Sequence, residues 1–141
     1  MRYDNPLTRL AEKEGLLYIH LTIDTSWASG TIYTFPRYMF LYDLQQNIVK
    51  CYLDKTILTV SQYHNFEIVF DSELIFTKSL NTDISIDKLF KCESETHNRY
   101  DTGGYFLIMK YQGKEKELLI FNKASNEFQP FEWLFELFNA F

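Results

Sequence analysis

The chain of 141 residues is long enough for one domain around a single core, and its 46% hydrophobic and 18% aromatic content excludes a disordered or low-complexity protein. The net charge is −5, and residues 71–141 carry twelve acidic and eight basic side chains. Because affinity for phosphate depends on clustered Lys and Arg, this balance argues against nucleic acid as a partner. A basic protein fits the charge better.

The sequence also predicts a cytoplasmic protein. Residues 1–15 lack the apolar run of a signal peptide, and no later segment approaches the roughly twenty apolar residues that cross a bilayer. Cys51 and Cys92 belong to no paired metal or redox motif, so reduced thiols are expected. Cys51 alternates with Val49 and Leu53, which predicts that it packs as a small hydrophobic residue. Cys92 is expected to pack beneath a short helix.

The first predicted elements are a helix and a strand. Asn5-Pro6 opens a helix of about two turns, and Gly15 lies where that helix should end. Residues 17–23 then alternate apolar and polar side chains, the pattern of a strand that is buried on one side. This segment is the clearest strand in the sequence.

Four further strands are predicted before residue 61. They span residues 31–35, 37–43, 48–53 and 56–60. Pro36 separates the first two of these strands, because proline within a sheet favours an edge or a bulge. Residues 38–42 are apolar on both faces, which predicts either a central strand covered on each side or a strand that contributes to an interface.

Two hairpins are predicted in the second half. Residues 66–70 and 73–78 are expected to pair with each other across Asp71-Ser72. Residues 105–111 and 117–121 are expected to pair across a glycine-containing turn. Strands joined by such short turns favour antiparallel pairing, since parallel neighbours need crossover connections of a dozen or more residues.

Two helices are predicted in the same half. Residues 86–90 have helical spacing behind a possible Ser85 cap, with a strand as the alternative. The last helix begins at Pro130 and carries five aromatic rings. Its only polar side chains are Glu132, Glu136 and Asn139. They share one narrow face, so the rest of the helix must be covered, either by the sheet or by a second copy of the chain.

The predicted fold is a single-domain α+β protein with a twisted antiparallel sheet of about six to eight strands. The aromatic carboxy-terminal helix is expected to pack on one face of the sheet. The short amino-terminal helix is expected at an edge or end. A sheet curled around the carboxy-terminal helix is the alternative arrangement.

No motif identifies a catalytic, metal or nucleotide site, and no cofactor is predicted. His20, His64 and His97 stand alone, whereas zinc sites use closely spaced His and Cys pairs, so each histidine is expected at the surface or in a turn. Gly103-Gly104 lacks the residues that complete a phosphate-binding loop. An enzyme is still an alternative, with His20, Asp24 and the loop around His97 as its candidate residues.

The segment from residue 26 to residue 38 mixes aromatic and small polar side chains and contains no acid. Trp, Tyr and Arg anchor many protein interfaces, because they bury a large area and keep a polar group to pair. Acidic side chains in the polar loop after residue 92 are expected to attract a basic partner. The predicted partner-binding residues are Trp27, Tyr33, Arg37, Tyr38, Glu93, Glu95 and Asp101. The alternative for the aromatic residues is a place in the core.

The function that these features favour is non-catalytic binding and inhibition of another macromolecule. The immunity protein of a toxin system and a phage inhibitor of host defence are two such roles, and both are analogies from the class of chain rather than from a motif. The first alternative is an α+β cup that binds a small molecule in a pocket lined by aromatic side chains. The second is an enzyme with an unrecognised site.

Overall fold

The computed structural model of the protein describes residues 4–24, 36–60, 66–93, 104–120 and 129–139. In these residues a six-stranded antiparallel sheet carries helices on both faces, which confirms the predicted α+β fold. Over the described residues the sheet is open. The predicted strand at residues 31–35 lies outside the described residues.

The order of the strands places β1 and β2 in the middle of the sheet. The helices are α1 (Pro6–Glu14), α2 (Ile86–Lys91) and α3 (Glu132–Asn139). The strands are β1 (Leu17–Asp24), β2 (Arg37–Asp43), β3 (Ile48–Asp54), β4 (Ile57–Val60), β5 (Phe66–Val69), β6 (Ser72–Ser79), β7 (Gly104–Tyr111) and β8 (Lys114–Ile120). The six-stranded sheet has the order β6-β3-β2-β1-β7-β8, and β4 pairs with β5 separately.

Strand β1 shows how alternation in the sequence produces the two faces of the sheet. Leu17, Ile19 and Leu21 lie in the larger cluster of buried side chains, which we call the main core. Tyr18 belongs to the smaller cluster on the opposite face, which we call the second face. Strand β2 is also covered on both sides, since Phe40 packs in the main core and Met39 and Leu41 pack on the second face. Residues 38–42 are therefore central, as one of the two predictions for them stated.

Helix α3 covers the main core, as predicted. A 3-10 turn, Gln129–Phe131, precedes it, so the α-helix begins two residues after Pro130. The buried side chains of this segment are Phe131, Leu134, Phe135 and Leu137. Phe135 meets Tyr105 of β7 edge to face, with 4.6 Å between the ring centroids. Lys78 of β6 donates to the carbonyl oxygen of Leu137 at 3.4 Å, which links the last turn of the helix to the sheet.

Helix α1 packs on the second face rather than at an edge or end of the sheet. Its start is fixed by Asn5, whose side chain accepts hydrogen bonds from the backbone N–H groups of Leu7 and Thr8. Gly15 ends the helix in the left-handed conformation, with φ of 70°. Leu7 and Ala11 are buried in the cluster on the second face, and this apolar contact explains the position of the helix.

Helix α2 and the two cysteines follow the predictions. The Ser85 side chain caps α2, and Leu89 is buried in the main core. Cys51 and Cys92 are both buried free thiols in the same core. Strands β7 and β8 form the predicted hairpin, with the first residues of β8 extending three positions before the predicted start.

The predicted hairpin of residues 66–70 with residues 73–78 is wrong. Strand β5 pairs with β4, and β6 pairs with β3. Asp71-Ser72 has the residue types of a turn, but in the structure the chain continues in the same direction from β5 into β6. The Asp71 carbonyl oxygen accepts from the Lys55 N–H at 2.8 Å, so the β3–β6 pairing continues through this point.

Candidate functional site

The predicted partner-binding residues that the structure describes are not brought together on one surface. Arg37 is buried on the second face, whereas its neighbour Tyr38 packs against the main core. Glu93 is exposed just beyond α2. Trp27, Tyr33, Glu95 and Asp101 lie outside the described residues. The surface that these seven residues were predicted to form stays a prediction.

Arg37 instead belongs to a buried polar cluster on the second face, formed by His20, Arg37, Asp54 and Thr56. Nε2 of His20 lies 2.8 Å from Oδ2 of Asp54, and a guanidinium nitrogen of Arg37 lies 3.8 Å from the same oxygen. Arg37 also donates to the carbonyl oxygen of Thr56 at 2.7 Å. The N–H of Thr56 donates to Oδ1 of Asp54 at 2.9 Å. Both carboxylate oxygens of Asp54 thus have partners.

The ionised state of Asp54 is strongly favoured in this cluster. Burial by itself raises the pKa of a carboxyl group, because it removes water from the charge. The hydrogen bonds from His20 and Thr56 outweigh that effect, and the attraction to His20 adds to them. The pKa of Asp54 is therefore held well below its ordinary value of 3.8.

The placement of His20 corrects the expectation of a surface or turn histidine. His20 is buried, and its Nε2 lies beside Asp54, a residue 34 positions away in the sequence. The only sequence signal was a polar residue on the less apolar side of β1. Its partner could be found only once the order and register of β1, β2 and β3 were known.

The cluster holds the junction between β3 and β4, which we call the bend. Asp54 is the last residue of β3, and Thr56 directly precedes β4. Because the backbone N–H and C=O of Thr56 bond to Asp54 and Arg37, the start of β4 is held against the sheet. His20, Arg37 and Asp54 are almost completely buried, so they present little surface on which a substrate could react.

Beyond the bend, β4 and β5 pair to form a two-stranded ribbon, which we call the hairpin arm. Its pairing has the same register as the adjoining part of β3 and β6. Tyr52 pairs with Leu74 and Asp54 with Ser72, and beyond the bend Ile57 pairs with Val69. The arm is therefore a continuation of the β3–β6 strand pair along the strand direction, past the end of the six-stranded sheet.

The hairpin arm exposes large aliphatic side chains on both of its faces. Their exposed fractions are 53% for Ile57, 63% for Ile68, 42% for Val69 and 50% for Leu74 at the base of the arm. Ile57 and Val69 are direct cross-strand neighbours, so their side chains lie on one face of the ribbon. Ile68 and Leu74 are an even number of residues apart and lie on the other face. We call these four residues the aliphatic surface.

The charges beside the aliphatic surface are mainly acidic. Asp71 and Glu73 are exposed on the outer strand, and Glu67 is exposed on β5. Lys55 lies 3.8 Å from Glu73, with both side chains about half exposed. Such a pair is screened by water and contributes little, so the negative potential of the outer strand is only partly neutralised.

A concave feature lies between α1 and the turn that joins β7 to β8. It is a groove of about 490 Å³ whose lining includes Asp4, Arg9, Glu12 and Lys110. Arg9 pairs with Asp4 at 3.3 Å, and Lys110 pairs with Glu115 at 3.0 Å. Half of the lining residues are charged, so the groove does not resemble the apolar walls with a few polar groups that typify small-molecule pockets.

The described part of the chain contains no group of three His, Cys, Asp or Glu side chains able to hold a metal ion. None of its helices has the length and hydropathy needed to span a membrane. Comparison with known protein families finds no matching model, and comparison with curated proteins and with solved structures finds no match either.

Proposed function

We propose that this is a non-catalytic protein that binds another protein through the hairpin arm. The observation that supports this most strongly is the aliphatic surface: Ile57, Ile68 and Val69 lie on the arm, and Leu74 lies at its base in β6. Single exposed aliphatic side chains are common, but several close together on one projecting element are typical of interaction sites.

The base of the arm suits this role because it is preorganised. The buried cluster of His20, Arg37 and Asp54 holds the bend before β4 through hydrogen bonds to Thr56. A segment that is already ordered loses less conformational entropy on association than a free loop does. The arm can therefore present its aliphatic side chains in one geometry.

The proposal includes a basic partner and an inhibitory effect. The net charge of −5 and the exposed Asp71 and Glu73 favour a partner with positive charge near its binding site. A projecting ribbon fits a cleft, and occupying the cleft of an enzyme blocks it. Neutralising a toxin or a host defence factor is the form of inhibition that we propose.

The two alternatives have less support in the geometry. A small-molecule cup requires an apolar cavity, whereas the sheet is open and the groove beside α1 is lined by charged side chains. An enzyme would need reachable acid and base groups, whereas His20 and Asp54 are buried. Substrate turnover by the purified protein would nevertheless replace the proposed function.

The test compares capture of a partner by matched variants. Tagged wild-type protein is used to isolate partners from its native cells, in parallel with the double variant Ile57→Glu, Ile68→Glu. Leu10→Glu is the control, because Leu10 is an exposed aliphatic residue on α1, away from the arm. We expect wild type and Leu10→Glu to retain one stoichiometric protein, and the arm variant to lose it.

The captured protein is then assayed for its own activity with and without added wild-type protein. Inhibition that requires Ile57 and Ile68 would support the full proposal. Equal capture by all three proteins would contradict the role of the arm. Capture without any change in the partner's activity would contradict the inhibitory part alone.

A further inference from the structure

The outer edge of the strand pair is open along its whole described length. Strand β6 is the last strand of the six-stranded sheet, and β5 continues it beyond the bend. Among the described residues, β5 pairs only with β4 and β6 pairs only with β3. An open edge carries backbone N–H and C=O groups that can pair with another strand.

The direction of these backbone groups follows from one hydrogen bond. Lys55 N–H donates to the Asp71 carbonyl oxygen at 2.8 Å, so residue 71 directs its carbonyl group inward. In an antiparallel ladder, residues that bond to the partner strand alternate with residues that do not. Residues 68, 70, 72 and 74 are thereby the ones that direct their backbone groups to the outer edge. Thr56 on the opposite strand shows the same alternation. It lies across from residue 70, and its N–H and C=O bond to the side chains of Asp54 and Arg37 rather than to the outer strand.

The side chains along this edge differ between the two faces of the ribbon. On one face, Val69 is followed by Asp71 and Glu73, and all three are exposed. The other face presents exposed Ile68 and Leu74, with half-buried Phe70 and the small, half-buried Ser72 between them. A strand added at this edge would therefore meet acidic groups on one side and apolar groups on the other.

The opposite edge of the sheet has no such pattern. Strand β8 begins Lys114, Glu115, Lys116, Glu117, so acidic and basic side chains alternate along it. Charged side chains on an edge strand, lysine above all, are one of the ways in which proteins prevent edge-to-edge pairing. The two edges of the sheet are thus distinguished by their chemistry.

We propose that the edge from Ile68 to Leu74 binds an extended segment of the partner as an added β-strand. The segment alternates basic side chains, which face Asp71 and Glu73, with apolar side chains, which face Ile68, Phe70 and Leu74. This inference rests on the proposed function and specifies the chemistry of its partner. Main-chain hydrogen bonds would hold the segment, and the two sets of side chains would select it.

The test uses a peptide in which Lys and Val alternate and whose two termini are chemically blocked. Its length of about seven residues matches the edge from Ile68 to Leu74. Amide hydrogen exchange is followed by NMR on the full protein. We expect the peptide to slow exchange at Ile68, Phe70, Ser72 and Leu74. The amides of Val69 and Glu73, which face the neighbouring strand, should change little. Protection without this alternation, or no protection, would overturn the proposal.

Two controls separate backbone pairing from contact with side chains alone. Ser72→Pro removes an N–H group that points to the outer edge and leaves the hydrogen bonds to β3 intact. We expect its affinity for the peptide to fall about tenfold or more, whereas Ser72→Ala should bind the peptide as wild type does. Unaltered protection of Val69 and Glu73 without peptide shows that the proline variant is folded. A peptide N-methylated at alternate residues should fail to bind wild type, which tests the same point without altering the protein. A peptide with Glu in place of Lys should also bind more weakly.

The outcomes distinguish this inference from the proposed function. Suppose that the double variant Ile57→Glu, Ile68→Glu no longer captures the cellular partner. If Ser72→Pro still binds the peptide as tightly as wild type does, and N-methylation of the peptide does not weaken binding, the arm binds by side chains alone and strand addition is wrong. If the arm variant has no effect on capture either, the proposed function fails as well. Equal binding of the Glu and Lys peptides would overturn the basic character of the segment.

Discussion

His20 of β1 and Asp54 of β3 meet at 2.8 Å although β2 lies between their strands. Their side chains reach across β2 next to Arg37, whose guanidinium group also contacts the carboxylate. The other oxygen of Asp54 accepts the Thr56 N–H. One carboxylate therefore connects the centre of the sheet to the base of the hairpin arm.

Replacing Asp54 by Asn is expected to destabilise the protein by about 3–5 kcal/mol, because it removes a buried negative charge that lies beside His20 and Arg37. The measurement is the free energy of unfolding in urea. Asp71→Asn is the control, since Asp71 is an exposed acid near the same bend, and it should change stability by less than about 0.5 kcal/mol. Similar values for the two variants would show that the cluster does not stabilise the fold.

The contribution of Asp54 to stability should disappear in acid. Its pKa is lowered in the folded protein, so as the pH falls the unfolded chain binds the proton first, near the ordinary value of 3.8. The stabilisation is complete above about pH 5 and is lost as the pH falls from about 4 towards 2. The difference in unfolding free energy between wild type and Asp54→Asn should thus be smaller at about pH 3 than at about pH 5. An equal or larger difference at the lower pH would contradict this.

The sequence predicted the elements whose signals are local. Alternation identified β1, the Asn5-Pro6 cap and Gly15 bounded α1, and the apolar surface of the last helix required burial against the sheet. Helix α1 was nevertheless expected at an edge or end of the sheet, because its small apolar face did not reveal that the second face of the sheet also needed covering.

The features of the candidate site were not predicted, because they depend on long-range pairing. The polar pair Asp71-Ser72 looked like a turn, and only the register of Ile57 with Val69 shows that the strand continues through it. Arg37 was expected as a surface anchor for a partner, a role that depends on the charge and size of the side chain. Its burial beside Asp54 results from the β2–β3 pairing, which the sequence does not encode locally.

Helix α3 is expected to be part of the core rather than a separate dimerisation element. Leu134→Ala should lower the free energy of unfolding by about 2–5 kcal/mol, because Leu134 is fully buried. Glu136→Ala, at an exposed position of the same helix, is the control. A chain truncated before Pro130 should unfold or aggregate, as judged by circular dichroism and size-exclusion chromatography. A soluble, folded monomer from that truncation would favour a helix that packs between copies.

The Cys51 thiol should be unreactive in the folded protein. Burial raises its pKa to about 12, an effect that the charge of Lys78 only partly offsets. At about pH 8 the thiolate needed for reaction is therefore scarce, and the sulfur is inaccessible. A disulfide reagent should modify Cys51 only after denaturation, as read by mass spectrometry of peptides containing Cys51 or Cys92. Modification of native Cys51 as fast as of the denatured chain would show that this part of the core opens readily.

The most direct test of the central claim is position-specific photocrosslinking in the native cells. A photoreactive phenylalanine analogue replaces Ile68 in the hairpin arm or, as a matched control, Leu10 on α1, and both sites are exposed. If the arm binds a protein partner, the analogue at residue 68 gives one discrete crosslinked product, and the analogue at residue 10 does not. No product at residue 68, or the same products at both positions, would contradict the hairpin arm as the binding site.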